Sequence, residues 1–191
     1  MNETIYSYHV PGPPDGLWYD YKLDPSPAKD KFSTHTHDMF EINYFISGRA
    51  RFSVEGNIYH LQPDDVLIMR PAETHMPIMD EPEPYERMTI HMSLAYLKKF
   101  CPECERLLAP FVDRKLGTLN QYHNHQFVSQ HWKSCLQAMA AQAKSSFDER
   151  TYINVNLLAF LAELNLAFMF RDLEQDKLES NELSVRIIRY I

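Results

Sequence analysis

The first half of the chain alternates short runs rich in β-branched and aromatic residues with breaker residues, and this pattern predicts strands. Five runs lie at residues 41–46, 50–54, 58–61, 65–70 and 86–92. Gly, Pro, Asn and Asp separate the runs. The segment Glu55-Gly56-Asn57 has the composition of a tight hairpin turn, because Gly and Asn tolerate a positive φ. Many short strands at close spacing predict a sandwich or a barrel.

In the second half the apolar period changes to that of helices. From residue 128 to 143 apolar side chains recur at i, i+4, i+7 and i+8, which predicts an amphipathic helix. A second helix is predicted over residues 149–171, with a stripe of Leu157, Leu161, Leu164 and Phe168. Further apolar residues fill its other faces, so it must be covered on more than one side. The barrel can cover one side, and a second copy of the chain is the economical candidate for the rest.

The last twenty residues show a further change. Residues 172–181 are polar and charged, which predicts a linker. A new apolar periodicity begins at Leu183 and is still incomplete at Ile191. Because so short a helix cannot stand alone, we expect the chain to be a piece of a longer protein.

Composition narrows the classes of function. The 191 residues suit one domain, or one domain with a helical appendage. The net charge of −7 argues against this segment binding a phosphate backbone. Three cysteines are too few for a disulfide scaffold, and the N-terminus lacks a secretory signal, so a cytoplasmic location is expected. The apolar run 153–170 is interrupted by asparagines and a glutamate, which favours a buried helix over a membrane span.

The sharpest chemical signal is a cluster of histidines with one glutamate. His35, His37 and Glu41 have the same parity, so on a strand they project to one face, and His75 follows a strand that can lie beside the first. Three imidazoles and a carboxylate are good ligands for a divalent metal such as Zn, Ni, Fe, Mn or Cu. The alternative is a cluster that hydrogen-bonds an organic effector, or only the neighbouring backbone.

Other residues are candidates for binding an organic ligand together with His37, Glu41 and His75. Asn43 shares the parity of Glu41 and could bind a sugar hydroxyl or a carboxylate, or be satisfied by a neighbouring strand. Tyr19 and Arg87 are weaker candidates. An inward Arg87 would favour an anionic effector through bidentate hydrogen bonds, whereas on a surface strand it would have no such role.

Two sequence motifs resemble those of a known superfamily. The pattern His-x-His-x3-Glu-x6-Gly over residues 35–48 resembles the first metal-binding motif of the cupins, although Lys29 stands where that motif begins with Gly. Pro63-Asp64-Asp65 followed by His75 resembles the second motif more loosely. Asp65 replaces a glycine there, and the histidine comes later than in the strict spacing.

The order of these features along the chain is similar to that in AraC/XylS-type transcription regulators. The resemblance implies a mainly β fold with C-terminal α structure, that is, a cupin-type double-stranded β-helix (jelly-roll) barrel followed by an antiparallel helix pair. It divides the chain into a sensor barrel at 1–93, a helical dimerisation region at 94–172, and a linker with the start of a helix-turn-helix domain at 173–191.

The resemblance also implies a function. A small-molecule effector, a sugar or similar, is expected to bind in the barrel of a cytoplasmic homodimer, with DNA bound by a C-terminal domain absent from this chain and with no enzymatic activity. The alternative is a metal-dependent cupin enzyme, an isomerase or a dioxygenase. A third interpretation is that the chain is a purely structural dimerisation module.

Overall fold

The computed structural model describes residues 3–10, 16–142 and 149–188, with side chains described for 16–139 and 150–171. The strands are β1 (Glu3–Val10), β2 (Leu17–Asp24), β3 (Phe40–Gly48), β4 (Arg51–Val54), β5 (Asn57–His60), β6 (Asp65–Met69), β7 (His75–Ile78), β8 (Tyr85–Met92) and β9 (Gln121–Tyr122). The α-helices are α1 (Leu94–Phe100), α2 (Ala109–Val112), α3 (His131–Gln142) and α4 (Glu149–Ile188). Each of the five predicted strands is present, with ends within two residues of the prediction.

The strands form two antiparallel sheets that face each other. The larger sheet has the order β1-β2-β8-β3-β6-β9, and the smaller has the order β5-β4-β7. Phe52 and Val54 of the small sheet pack against Leu67 and Met69 of the large one. The predicted mainly β fold with C-terminal helices is confirmed.

Strand β3 lies at the centre of the large sheet and is buried on both faces. Ile42 and Tyr44 point to one face and join the core that the helices cover. The alternate residues point to the interior between the sheets, because successive side chains of a strand point to opposite faces. Phe45 is apolar there, but Glu41 and Asn43 are polar and only 4% exposed. The interior of the barrel therefore contains polar groups at its centre.

Two turns fix the register of the strands. In the predicted hairpin, Val54 pairs with Asn57, and both Glu55 and Gly56 have a positive φ, as a two-residue turn of the primed type requires. At the end of β3, Gly48 has a φ of 113°, and a Cβ there would lie 1.8 Å from the carbonyl oxygen of Pro84. A side chain at residue 48 would force β3 away from the start of β8.

A buried ion pair fastens the loop before β7 to the segment that follows α2. The guanidinium of Arg114 donates to both carboxylate oxygens of Glu73 at 2.7 Å, and neither side chain is exposed. Glu73 also accepts hydrogen bonds from the backbone N–H groups of Arg70 and Gly117 and from the Asn120 amide. The loop that precedes His75 is therefore held by the region that leads to the helices.

The two long helices cover the outer face of the large sheet. Trp132, Leu136 and Met139 of α3 are buried in the same core as the predicted stripe of α4, which confirms both stripes. The predicted start of α3 is wrong: the helix begins at His131, and Val128 is 60% exposed. The backbone of α4 continues without a break to Ile188, so the linker predicted at 172–181 is wrong: those residues are helical. Their polar composition is compatible with a helix, since charged residues with long side chains are good helix formers. Residues 189–191 lie outside the described residues.

One segment of α4 has the length and composition of a membrane-spanning helix. Residues Arg150–Arg171 have a mean hydropathy of 1.6 over their most apolar window, of which 39% is buried. The buried face includes Ile153, Phe160 and Leu164, which belong to the core shared with the barrel. Length and composition alone do not distinguish a core helix from a membrane-spanning one, and part of this helix packs in the core.

Candidate metal and ligand site in the barrel

The backbone places the four predicted metal ligands together. The N–H of His35 donates to the carbonyl of His75 at 3.1 Å, and the N–H of His75 donates back to the carbonyl of His35 at 3.0 Å. The N–H of Ala72 donates to the carbonyl of His37 at 2.9 Å. These bonds pair the loop before β7 with the segment before β3, so both sets of side chains reach the same space.

The ligand atoms of His35, His37, Glu41 and His75 all lie within 4.8 Å of one another. The Nε2 atoms of His37 and His75 are 2.7 and 3.0 Å from Oε2 of Glu41. Glu41 and His75 are buried, His37 is partly exposed and His35 is exposed. The cluster is therefore closed on the barrel side and accessible on the His35 side.

The orientation of the imidazoles suits a metal ion. The Nδ1 atoms of His35, His37 and His75 lie 3.0, 2.9 and 2.7 Å from the backbone carbonyls of Ser33, Met39 and Glu73. A carbonyl is only an acceptor, so each Nδ1 carries the proton, which leaves the Nε2 lone pair for coordination in the neutral ring. Three nitrogens and one carboxylate suit Zn²⁺, Ni²⁺, Fe²⁺ or Mn²⁺.

Glu41 and His75 shift each other's pKa. Burial alone would raise the pKa of Glu41, but hydrogen bonds from His37, His75 and His91 outweigh it and hold that pKa well below its usual value. For His75, burial favours a lower pKa, but the hydrogen bond to Glu41 outweighs it and the pKa is raised. The two shifts agree in direction, because each group stabilises the charged form of the other.

His91 is a member of the cluster that sequence reasoning missed. It lies on β8 directly opposite Glu41 in the β3–β8 ladder, and its Nε2 is 3.2 Å from Oε2 of Glu41. The sequence shows which residues of β8 share a face with His91, but no motif includes His91. Only the register of β8 against β3 places it beside the glutamate.

Asn43 faces the barrel interior, as its parity predicted. Its Oδ1 and the hydroxyl of Tyr85 are buried and have no hydrogen-bond partner of acceptable geometry among the described residues. The two side chains are close enough for Asn43 to affect the pKa of Tyr85, which burial raises to about 12. Two buried polar atoms with unused hydrogen-bonding capacity lie in the same interior as the histidine cluster.

Arg87 also lies inside the barrel, so the surface alternative does not apply to it. It is 7% exposed, and its guanidinium donates to Asp24 at 2.6 Å and lies 4.3 Å from the centre of the Tyr85 ring. Lys31 binds the other oxygen of Asp24. Burial favours a higher pKa for Asp24, but hydrogen bonds and charge from Lys31 and Arg87 lower it. Arg87 is therefore already paired, although a ligand's anionic group could share its remaining donors.

The prediction that Tyr19 binds a ligand in the barrel is wrong. Tyr19 is fully buried on the opposite face of the large sheet, among the residues that pack against the helices. Its hydroxyl donates to the carbonyl of Met139 at 2.6 Å. Parity separates it from the interior: Tyr19 pairs with Ile90, which also faces the helices, whereas the neighbouring Trp18 pairs with His91.

Solved structures similar to this chain include proteins described as cupins. A cupin 2 conserved barrel domain protein from Salinispora arenicola is 18% identical, with 50% of this chain and 82% of that chain covered and a TM-score of 0.40. A cupin protein from Bacteroides fragilis is 22% identical, with 41% and 66% covered and a TM-score of 0.37. A protein from Thermotoga maritima described as a predicted oxalate decarboxylase is 20% identical, with 40% and 65% covered and a TM-score of 0.36.

None of the curated proteins matches the chain. The family described as "AraC-like ligand binding domain" matches residues 21–155, which include every strand from β3 to β9, helix α3 and the start of α4. This match extends over more than half of the sequence and includes the whole histidine cluster. The chain therefore belongs to the family of AraC-like ligand binding domains.

Proposed function

We propose that this chain is the effector-sensing and dimerising part of a cytoplasmic transcription regulator. The observation that carries the sensing role is a pair of buried polar atoms beside the histidine cluster, Asn43 Oδ1 and the Tyr85 hydroxyl. Neither makes a well-formed hydrogen bond within the described residues. An unpaired buried polar group costs about 1–3 kcal/mol, and a ligand that supplies its partner recovers that free energy. The effector is then a small molecule bearing hydroxyl or amide donors, such as a sugar.

The dimerising role follows from an apolar seam on α4. The seam has Tyr152, Ala159 and Leu166 at one heptad position and Val155, Ala162 and Met169 at the other. Val155 is 60% exposed and Met169 is 53% exposed. This 3-4 spacing is that of a two-stranded coiled coil, which supports a second copy of the chain as the partner rather than lipid. Alanines in the seam allow two helices to approach closely.

In this proposal a further domain binds DNA. The chain has a net charge of −7, which disfavours contact with phosphates, so a C-terminal helix-turn-helix domain outside this chain would bind DNA. Effector binding in the barrel would change the arrangement of the paired α4 helices. An effector that binds one arrangement of the paired α4 helices more tightly than the other favours that arrangement. The difference between the two binding free energies limits how strongly the effector can control DNA binding.

The sensing role is tested by thermal unfolding of the purified chain against a panel of sugars, polyols and small carboxylic acids. A true effector raises the melting temperature in a concentration-dependent way. Asn43→Leu removes the unpartnered acceptor at nearly constant volume and is expected to abolish the shift. If no compound in a wide panel stabilises the protein, the sensing role is rejected.

Dimerisation is tested by sedimentation velocity. The double substitution Val155→Glu and Leu166→Glu places charges in the seam, and we expect it to convert a dimer into monomers. Val128→Glu is the matched control, because Val128 is also 60% exposed but lies outside α4. A monomeric unaltered chain would disprove this part of the proposal, as would a dimer that the seam variant leaves intact.

The histidine cluster favours a second candidate function, that of a metal-dependent cupin enzyme such as an isomerase or dioxygenase. That function requires stoichiometric metal and an open coordination position for a substrate. His37→Ala and Glu41→Ala would each abolish turnover. A metal-loaded chain without turnover on sugars, keto acids or catechols would leave the sensor as the better account.

A further inference from the structure

We propose that His91 is an additional ligand of the divalent metal that His35, His37, Glu41 and His75 would hold, and that it closes the coordination shell. The inference depends on the metal centre described above and is independent of the regulatory function. It concerns a residue that neither cupin motif includes.

The first argument is the convergence of three imidazoles on one atom. The Nε2 atoms of His37, His75 and His91 lie 2.7, 3.0 and 3.2 Å from the same oxygen, Oε2 of Glu41. An ion bound to that oxygen is therefore close to all three nitrogens. His35 has a different place: its ring packs edge-on against His75, with ring centres 4.4 Å apart.

The second argument is the rigidity of the support. Glu41 and His91 are directly paired residues on adjacent strands, so their side chains share one face of the sheet. Trp18, the partner of His91 on β2, lies edge-on to the His91 ring at 5.7 Å. The β-ladder thus fixes the backbone of His91, and a ring that is 23% exposed retains room to turn toward an ion.

The third argument is the number of donors. His91 is outside the four residues whose ligand atoms lie within 4.8 Å of one another, so its contribution adds a fifth donor to that set. Five protein donors fill a five-coordinate ion and leave at most one position on a six-coordinate ion. Closed shells are typical of structural sites, whereas catalytic sites keep an open position. The ion would then act as a structural element or as the sensed species itself.

The test compares three variants of the full chain. His91→Ala removes the ring. His91→Gln keeps an N–H that can donate to Glu41 but lacks an imidazole nitrogen for the metal. His60→Ala removes a histidine from the exposed surface of β5 and serves as the control. Each is measured by Zn²⁺ competition against a chromophoric chelator and by water-proton relaxation of the Mn²⁺-loaded protein.

If His91 is a ligand, both His91 variants bind Zn²⁺ at least about 100-fold more weakly, whereas loss of an outer-shell partner alone costs about 10–100-fold. The relaxation rate of the Mn²⁺ form rises by the contribution of one more bound water, and His60→Ala changes neither quantity. Thermal melting of the metal-free variants shows whether each variant is folded. If His91→Ala is unfolded, the Zn²⁺ affinity and relaxation rate of His91→Gln decide whether His91 is a ligand.

Two results would overturn the inference. In the first, His91→Gln retains the Zn²⁺ affinity and the relaxation rate of the unaltered chain, which reduces His91 to a hydrogen-bond donor. In the second, the unaltered chain binds neither ion at micromolar concentration. Neither result depends on effector or DNA binding, so failure of the regulatory proposal would leave these measurements unchanged.

Discussion

Two buried glutamates in this barrel, Glu41 and Glu73, have opposite surroundings. Glu73 is bound by Arg114 through two hydrogen bonds and by backbone and amide donors. Glu41 is surrounded by imidazoles, three of which contact a single oxygen. Both carboxylates have a lowered pKa despite burial, which alone would raise it. Similar burial and charge therefore do not imply a similar role.

The difference lies in what the partners can do. A guanidinium stays protonated at any pH a protein meets and cannot bind a metal, so the pair of Glu73 and Arg114 can only hold the loop in place. An imidazole changes its protonation near neutral pH and offers a lone pair to metals. Glu73 thus fixes the loop that carries His75, while Glu41 lies where protons or metals can exchange.

The largest expected effect is on the structural pair. Arg114→Met leaves the Glu73 carboxylate buried without its cation, and we expect the free energy of unfolding to fall by about 3–5 kcal/mol. Urea denaturation measures this loss. The double variant with Glu73→Gln should recover much of it, because no uncompensated charge remains. A loss below about 1 kcal/mol in the single variant would mean that the ion pair does not hold the loop.

A smaller effect is expected at Glu41, and it should depend on metal. Glu41→Gln keeps the shape of the side chain but removes the charged ligand. At a metal concentration 100-fold above the dissociation constant, the unaltered protein gains about 2.7 kcal/mol. The variant should gain almost none of it, as shown by melting with Zn²⁺ and with a chelator. Equal stabilisation of both proteins would place the metal elsewhere. Glu105→Gln, at an exposed carboxylate away from the barrel interior, is the control that should retain the gain.

The smallest effect is the response of the metal-free protein to pH. Because the folded-state pKa of His75 is raised, its contribution to stability is fully present below the unfolded value of about 6.5 and is lost as pH rises through the raised pKa. Denaturation between pH 6 and 9 in a chelator should therefore show falling stability, and His75→Gln should flatten part of that slope. Glu73 contributes no slope here, because its pKa is lowered from an already acidic value. An unchanged slope in His75→Gln would rule out coupling between His75 and Glu41.

Local pattern was enough to predict the strands and two amphipathic helices. Equal parity in the sequence grouped His35, His37 and Glu41, but only Glu41 lies on β3. His35 and His37 precede that strand, and the bridge between His35 and His75 brings the cluster together. The same argument could not assign Tyr19, since parity tells which residues share a face but not which face turns inward. It could not predict the continuity of α4 through residues 172–181 either, because polar composition is compatible with both a linker and an exposed helix.

The sequence by itself determined the alternation of faces, the hairpin at Gly56 and the apolar stripe of α4. Each of these depends on neighbours within a few residues, so the repeat of the backbone is sufficient. Only the tertiary structure decided that His91 joins Glu41, that Arg114 joins Glu73 and that Tyr19 faces the helices. Those contacts join residues 41 to 120 positions apart, and they follow from strand register and from packing between layers, which no local pattern encodes.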